Sequence, residues 1–265
     1  MLKAINGQLD IGGTMDYIRF GTGRSTLVMI PGVGDGLKTV KGMALPFGLM
    51  YRALAKDFTV YVFSRRRELA PHTATREMAE DLNHAMEKLG LSNAAVVGVS
   101  LGGMIAQWLA IDHPDKVRKL VLTVTLCKPN PTIQDVIGRW MEMARQGDYR
   151  GIMLDTAARS YTPKKLRQER FMYSLLGNVG KPGNFDRFLI QAESCLTHDT
   201  SAELDKITCP TLVIGGTADA IVTGAASEEL AAAIPGSELY MYEGLSHALY
   251  EEAPDFLDRV ISFCR

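Results

Sequence analysis

Short hydrophobic runs alternate with amphipathic stretches along most of the chain. The runs are rich in Val, Ile and Leu and are bounded by Gly, Pro or charged residues, which is typical of strands buried on both faces of a sheet. They lie at residues 26–30, 59–63, 94–99, 119–124 and 211–214. The first residues differ, because 3–9 and 15–20 flank a Gly-Gly pair and predict an antiparallel hairpin at one edge of the sheet.

The amphipathic stretches between the runs predict helices. Residues 75–89 place Met78, Leu82 and Met86 on one helical stripe, and Gly90 ends it. Further helices are predicted at residues 101–111, 225–233 and 254–263. Because strands that alternate with helices form βαβ units, the pattern predicts an α/β fold with a mostly parallel sheet of about eight strands and flanking helices.

One long segment, residues 128–196, interrupts this alternation. It contains no strand-like run and is too apolar to be disordered, so it predicts a helical cap inserted after strand six. The core domain would then comprise residues 1–127 and 197–265. We expect about a quarter of the large apolar side chains of the cap to line a pocket, since pockets are lined mainly by such groups. They are Trp140, Met141, Met143, Tyr149, Met153, Leu154, Tyr161, Phe171, Met172, Tyr173, Phe185 and Phe188.

Composition narrows the class of protein. The 265 residues are 46% hydrophobic and 22% charged, which is ordinary for a globular chain. A net charge of −1 gives no reason to expect nucleic acid or an anionic membrane as partner. No apolar run approaches a membrane span, and the N-terminus lacks the apolar segment of a signal peptide. Four scattered cysteines without zinc-binding spacing predict free thiols and a cytoplasmic location.

The first chemical motif is Gly98-Val99-Ser100-Leu101-Gly102. It follows a predicted strand and opens a predicted helix, which is the context that the G-x-S-x-G spacing requires. On such a tight turn the hydroxyl of Ser100 stands clear of the sheet, beside a helix N-terminus that favours developing negative charge. The alternative is a glycine-rich turn in which Ser100 only caps the helix.

A serine hydroxyl is a weak nucleophile and needs a base. We predict His247 as that base, because it lies in a glycine-bearing loop between the last strand-like run and the terminal helix. The other histidines have simpler interpretations, with His84 on a helix, His113 at a helix end, and His72 and His198 in polar loops.

The base in turn needs a carboxylate that orients its imidazole. Asp219 directly follows the run at 211–214 and would lie at the same edge of the sheet as Ser100. Asp199, in the connection from cap to sheet, is the weaker candidate. Asp205 precedes the run and would lie at the opposite edge of the sheet.

With the order Ser, Asp, His, the chain resembles the α/β-hydrolase superfamily, in its cap-bearing, single-domain bacterial branch. The resemblance extends from about Met15 to Arg265. It implies an oxyanion hole formed by the backbone N–H groups of Val33 and Leu101, and no metal or organic cofactor. It also implies a hydrolase that cleaves a small-molecule carboxylic ester or lactone through an acyl-enzyme on Ser100.

Two departures from the family pattern affect this picture. Many relatives have His where this chain has Pro31, so a side-chain contribution is lost there. Many also have an Asp-x-Arg-Gly-x-Gly stretch after strand four, where residues 64–69 here read Ser-Arg-Arg-Arg-Glu-Leu. We expect a solvated basic turn at this point, from which at most one arginine, Arg66, reaches towards the cap. The more usual role of an arginine at this position in the family is to brace the loop.

Several activities share this triad. Carbon–carbon bond hydrolysis, acyl transfer and cofactor-free perhydrolysis all remain compatible with it, and so does a ligand-binding or sensor protein that turns over slowly. A serine at the turn argues against haloalkane dehalogenase or epoxide hydrolase chemistry, for which this superfamily uses an aspartate.

Overall fold

The computed structural model describes residues 3–168 and 180–265. Its strands form one eight-stranded sheet in the order β1-β2-β4-β3-β5-β6-β7-β8. The first two strands form the predicted antiparallel edge hairpin, β2 runs antiparallel to β4, and the remaining neighbours are parallel. The strands are β1 (Ala4–Asp10), β2 (Thr14–Phe20), β3 (Ser25–Ile30), β4 (Phe58–Arg66), β5 (Ala94–Val99), β6 (Val117–Thr123), β7 (Thr211–Gly216) and β8 (Glu238–Tyr242). The predicted α/β class is confirmed.

Helices cover both faces of this sheet, and each face has its own hydrophobic core. The α-helices with both ends among the described residues are α1 (Ala44–Met50), α2 (Thr75–Lys88), α3 (Leu101–Asp112), α4 (Pro131–Arg145), α5 (Tyr149–Ser160), α6 (Asp186–Thr197), α7 (Gly224–Ala233), α8 (Leu249–Glu252) and α9 (Phe256–Cys264). One core packs α2 and α3 against the sheet and continues into α4–α6, while the other packs α9 against the opposite face. Among the described helices, none has both the length and the hydrophobicity needed to cross a bilayer.

The register brings the carboxyl ends of the parallel strands to one edge. Ile30 pairs with Gly98 across β3 and β5, and Thr123 pairs with Ile214 across β6 and β7. The start of α3 packs so closely on this edge that a Cβ on Gly102 would lie 2.0 Å from the carbonyl oxygen of Ile30. Glycine is therefore required at this position, because any side chain would collide with backbone.

Helices α4, α5 and α6 follow β6 in the chain and precede β7. Side-chain caps start the first two, since Asn130 accepts from the N–H of Ile133 at 3.0 Å and Asp148 accepts from that of Gly151 at 2.8 Å. Phe188 on α6 is fully buried. Three of the aromatic and methionine residues predicted for the cap, Phe171, Met172 and Tyr173, lie outside the described residues.

Strand β4 is longer than the hydrophobic run that predicted it. It continues through Ser64 and Arg65 to Arg66, and Met15 of β2 pairs with Arg66. The expected basic turn is therefore strand over its first three residues, so successive side chains point to opposite faces of the sheet.

Candidate active site

Ser100 lies on a strained turn between β5 and α3. Its backbone has φ 54° and ψ −121°, a conformation that residues other than glycine rarely adopt. The backbone is held on both sides by β6 and the residues after it, since Ser100 N–H donates to the carbonyl of Thr123 at 3.0 Å and Ser100 C=O accepts from Thr125 Oγ1 at 2.8 Å. The side chain makes no capping hydrogen bond to α3, so the hydroxyl is not used to start the helix.

His247 and Asp219 form a buried pair at the same edge of the sheet. Nδ1 of His247 lies 2.9 Å from Oδ2 of Asp219. The other carboxylate oxygen, Oδ1, accepts from the N–H groups of Ile221 at 2.8 Å and Val222 at 3.0 Å. Both oxygens of Asp219 are thus engaged, which fixes the carboxylate and through it the plane of the imidazole.

The environment keeps this carboxylate charged. Burial alone would raise the pKa of Asp219, but the neighbouring His247 and the two backbone N–H donors outweigh it and hold the pKa below its ordinary value. Asp219 is therefore ionised at neutral pH and can stabilise a protonated imidazole.

The second candidate acid lies elsewhere. The carboxylate of Asp199 is exposed and accepts hydrogen bonds from the N–H and the hydroxyl of Ser201. Of the two acids that the sequence offered, Asp219 is the one bonded to His247.

Ser100 and His247 line one cavity of about 430 Å³. Apolar side chains make up most of its wall, including Ile133, Ile137, Trp140, Ile152, Met153, Phe188 and Ile221. Within the described part of the chain, no hydrogen bond connects the Ser100 hydroxyl to His247. Such hydrogen bonds in unliganded enzymes often tighten only when substrate is bound.

The residues predicted to bind the oxyanion adjoin the serine. Val33 begins a 3₁₀ turn after β3, and Leu101 begins α3, so each N–H lies at the start of a helical turn, where it has no intrahelical partner. The loop approaches Ser100 closely, because a Cβ on Gly32 would lie 3.4 Å from the Cβ of Ser100.

Arg65 and Arg66 at the end of β4 and Arg67 just after it do not form a solvated basic turn. The prediction of such a turn is wrong. Arg65 is buried with 3% of its surface exposed, whereas Arg66 and Arg67 bind carboxylates of other segments. Nε of Arg66 donates to Asp81 on α2 at 2.7 Å. Arg67 makes a bidentate pair of hydrogen bonds to the carboxylate of the buried Asp16 on β2. Arg66 does not reach the cap. It contacts Asp81 and the carbonyl of Gly12, which agrees with the alternative role of bracing the loop.

Of these three arginines, Arg65 is the one whose side chain contacts α6. Its Nε donates to Oε1 of Gln191 on α6 at 3.1 Å, and its Nη2 donates to the carbonyl of Gly32 at 2.6 Å. Asp35 lies 3.7 Å from the same Nε and accepts from the backbone N–H of Arg65. Arg187 on α6 donates to both the carbonyl and the carboxylate of Asp35. We call these four residues, Asp35, Arg65, Arg187 and Gln191, the arginine cluster.

Sequence reasoning missed this cluster. The available signal was Asp35, a carboxylate inside the glycine-rich loop that was predicted to supply an oxyanion donor. A carboxylate buried at such a place requires cationic partners, which the arginines at 65 and 187 supply.

His198 also departs from its predicted setting in a polar loop. It is 2% exposed, and its Nδ1 lies 2.9 Å from the hydroxyl of Thr75, which also accepts from the indole N–H of Trp108. Burial lowers the pKa of His198 to about 3. It is therefore a neutral residue that packs the end of α6 against α2 and α3.

The four cysteines are unpaired thiols. Within residues 3–168 and 180–265, no group of three or more His, Cys, Asp or Glu side chains has an arrangement that could hold a metal ion.

Residues 25–254 match the family model described as the alpha/beta hydrolase fold. The chain belongs to the α/β-hydrolase family. It is similar to RutD of Caulobacter vibrioides, with 24% identity over 273 residues that cover 95% of this chain and 96% of that protein. It is also similar to the pimeloyl-(acyl-carrier protein) methyl ester esterase of Vibrio cholerae, with 27% identity over 263 residues, 88% of this chain and 96% of the esterase.

A solved structure has the same fold. The enol-lactonase of Burkholderia xenovorans has a similar fold, with a TM-score of 0.81, 22% identity, and coverage of 97% of this chain and 99% of the lactonase. The relatives are hydrolases, and this α/β-hydrolase is accordingly an enzyme.

Proposed function

We propose that this α/β-hydrolase is a serine hydrolase that cleaves a carboxylic ester or a lactone of a small molecule. One observation carries the proposal: the cavity lined by Ser100 on its strained turn is also lined by His247, whose imidazole is bonded to the ionised Asp219. This set provides a nucleophile, a base and a group that orients the base.

In the first half-reaction, Ser100 Oγ attacks the substrate carbonyl while Nε2 of His247 takes the hydroxyl proton. Asp219 keeps the proton of the imidazole on Nδ1, so that Nε2 is free to accept, and stabilises the imidazolium that forms. The N–H groups of Val33 and Leu101 bind the oxyanion of the tetrahedral intermediate. The intermediate collapses when His247 returns the proton to the leaving alcohol, which leaves an acyl-enzyme.

In the second half-reaction, His247 takes a proton from water, and the resulting hydroxide attacks the acyl carbonyl. Collapse of this second intermediate releases the carboxylic acid and restores the Ser100 hydroxyl. With a lactone, the alcohol and the acid are parts of one product, so the ring opens and nothing leaves before the water step.

The cavity bears on the substrate class. Most of its wall is apolar and its volume is that of a site for a small organic molecule, which suits an uncharged acyl or alcohol group. We place that group between the core (residues 1–127 and 197–265) and the helical cap (residues 128–196). The names of an esterase and a lactonase among the relatives support ester and lactone substrates.

The test is a panel of activated esters, lactones and thioesters, combined with labelling by a fluorophosphonate probe. We expect the probe to attach to Ser100 and to abolish a turnover that is measurable on esters or lactones. A protein that labels at Ser100 but turns over no member of the panel would be a sensor or binding protein. Absence of labelling at Ser100 would remove the serine mechanism altogether.

A further inference from the structure

The arginine cluster lies behind one of the two peptide groups that would bind the oxyanion. Arg65 Nη2 donates to the carbonyl of Gly32 at 2.6 Å. The peptide that carries this carbonyl also carries the N–H of Val33, and the C=O and N–H of a trans peptide point in opposite directions. The backbone N–H of Asp35 also donates to this carbonyl oxygen, at 3.2 Å. Arg65 is the charged donor on the same oxygen, and it therefore helps to set the direction in which the Val33 N–H points.

The same bond strengthens the Val33 N–H as a donor. A hydrogen bond to a carbonyl from a charged group is short and strong, and it polarises the whole peptide, so that the N–H on the other side becomes more positive. The second oxyanion peptide has a neutral counterpart of this arrangement. The hydroxyl of Thr125 donates at 2.8 Å to the carbonyl of Ser100, whose peptide carries the N–H of Leu101.

The charge of the cluster favours an anion nearby. Arg65 and Arg187 supply two positive charges and Asp35 one negative charge, which leaves one net positive charge on the arginine cluster. Burial lowers the pKa of Arg65 to about 10, against the opposing effect of Asp35, so its guanidinium stays protonated at neutral pH. The adjoining Cys195 stays a neutral thiol, since burial raises its pKa to about 12.

We propose that Arg65 is a positioning residue for the oxyanion hole. Its guanidinium aims and polarises the Gly32–Val33 peptide, and its buried charge stabilises the anionic tetrahedral intermediate more than the neutral substrate. The inference rests on the proposed serine-hydrolase function. In this proposal Arg65 does not contact the substrate, and its effect on the oxyanion is transmitted through the carbonyl of Gly32.

The test compares Arg65→Met and Arg65→Lys with Arg66→Met. Arg66 is the matched control, because it is the next residue on β4 and is also paired with a carboxylate, but on the side facing α2. Fluorophosphonate titration counts the competent sites in each preparation, so kcat is expressed per active site and a partly folded sample does not lower it. Each variant is also titrated with a trifluoromethyl ketone, which forms an anionic tetrahedral adduct on a serine, and with the matching methyl ketone, which binds mainly as the neutral ketone.

Loss of an entire oxyanion donor costs ~10²–10³ in kcat. Because Arg65→Met weakens the Val33 donor and does not remove it, we expect kcat to fall by ~10–100-fold while KM changes by less than about threefold. Affinity for the trifluoromethyl ketone should fall by the same factor as kcat/KM, and affinity for the methyl ketone should not change. The Arg66→Met enzyme should match the wild type on all of these measurements.

Arg65→Lys keeps the charge and most of the packing, so it tests the proposal even if the methionine variant fails to fold. A lysine is a point charge and cannot bind Gln191 and Gly32 together with the geometry of a guanidinium, so kcat should fall, but less than in Arg65→Met. A folded Arg65→Lys enzyme with wild-type kcat, or equal weakening of the two ketones in either variant, would overturn the proposal. A wild-type protein that is not labelled at Ser100 would instead overturn the proposed function on which it rests.

Discussion

The imidazole of His247 contacts the carboxylate of Asp219 across 28 residues of chain, with Nδ1 2.9 Å from Oδ2. The contact joins the loop after β8 to the loop after β7. It fixes the tautomer of the imidazole that the proposed mechanism requires, because a carboxylate accepts only from a protonated Nδ1.

Replacement of the Asp219 carboxylate by an amide should remove its control over the tautomer of His247. We expect Asp219→Asn to lower kcat on an activated ester by two or more orders of magnitude, since the amide can donate to Nδ1 and stabilise the wrong tautomer. Asp199→Asn is the control, because Asp199 contacts Ser201 and not His247. The reverse ranking of the two variants would transfer the role of the acid to Asp199.

Removal of the proposed nucleophile should lower kcat further than Asp219→Asn does. We expect Ser100→Ala to retain the fold, as judged by circular dichroism, and to lose ~10⁴-fold or more of kcat on a short activated ester. Because the Ser100 side chain does not cap α3, loss of its hydroxyl should cost little stability. A variant with activity within tenfold of the wild type would contradict the assignment of Ser100.

The buried His198 predicts how stability depends on pH. Its pKa is lowered to about 3 in the folded protein, whereas a histidine in the unfolded chain has a pKa of ~6.5. Between these two values the unfolded state binds the extra proton, so the contribution of His198 to stability is complete above the unfolded pKa and is lost progressively as pH falls below it. From pH 7 to pH 5 this loss amounts to about 2 kcal/mol.

Urea unfolding of wild type and His198→Gln at the two pH values measures this effect. The difference in unfolding free energy between pH 7 and pH 5 should be smaller in the variant by that amount. His84→Gln is the control, because His84 is half exposed on α2 and paired with Glu80. If both variants show the pH dependence of the wild type, His198 is protonated in the folded protein at pH 5.

Two glycines should respond in opposite ways to a methyl group. Gly138 lies on the exposed side of α4 with open space at its Cβ position, so Gly138→Ala should raise the free energy of unfolding by ~0.5–1 kcal/mol. Gly102 is the second residue of α3 and lies directly over the carbonyl of Ile30, so Gly102→Ala should lower the melting temperature and disturb the turn that carries Ser100. Thermal unfolding followed by circular dichroism checks both.

The hydrophobic pattern predicted the sheet because buried parallel strands are encoded locally. The run at residues 94–99 reproduces β5 residue for residue, and the small residues after it identify the turn of Ser100. The pattern also placed Asp219 beyond the end of β7, and the parallel register makes such strand ends neighbours. These features depend on residues that are close together in the sequence, which is why the sequence could predict them.

The arginines of β4 show what the sequence could not predict. Whether such a side chain is solvated or buried depends on carboxylates that are distant in sequence, and Asp16, Asp35 and Asp81 come from three separate segments. The burial of His198 depends likewise on Thr75 and Trp108, although its neighbours in the chain are polar. Partners of this kind are set by the topology of the whole fold, so the residues adjacent in sequence do not identify them.

The different contacts of α4, α5 and α6 have a consequence for how the substrate preference of the enzyme can change in evolution. Side chains of α4 and α5 contribute to the apolar wall of the cavity. Helix α6 contributes to it through Phe188 and in addition bonds to Asp35 and Arg65 through Arg187 and Gln191. Substitutions on the first two helices can remodel the cavity without disturbing those bonds. We therefore expect new substrate preferences to arise in a lineage through α4 and α5, while residues 35, 65, 187 and 191 are inherited or replaced as one set.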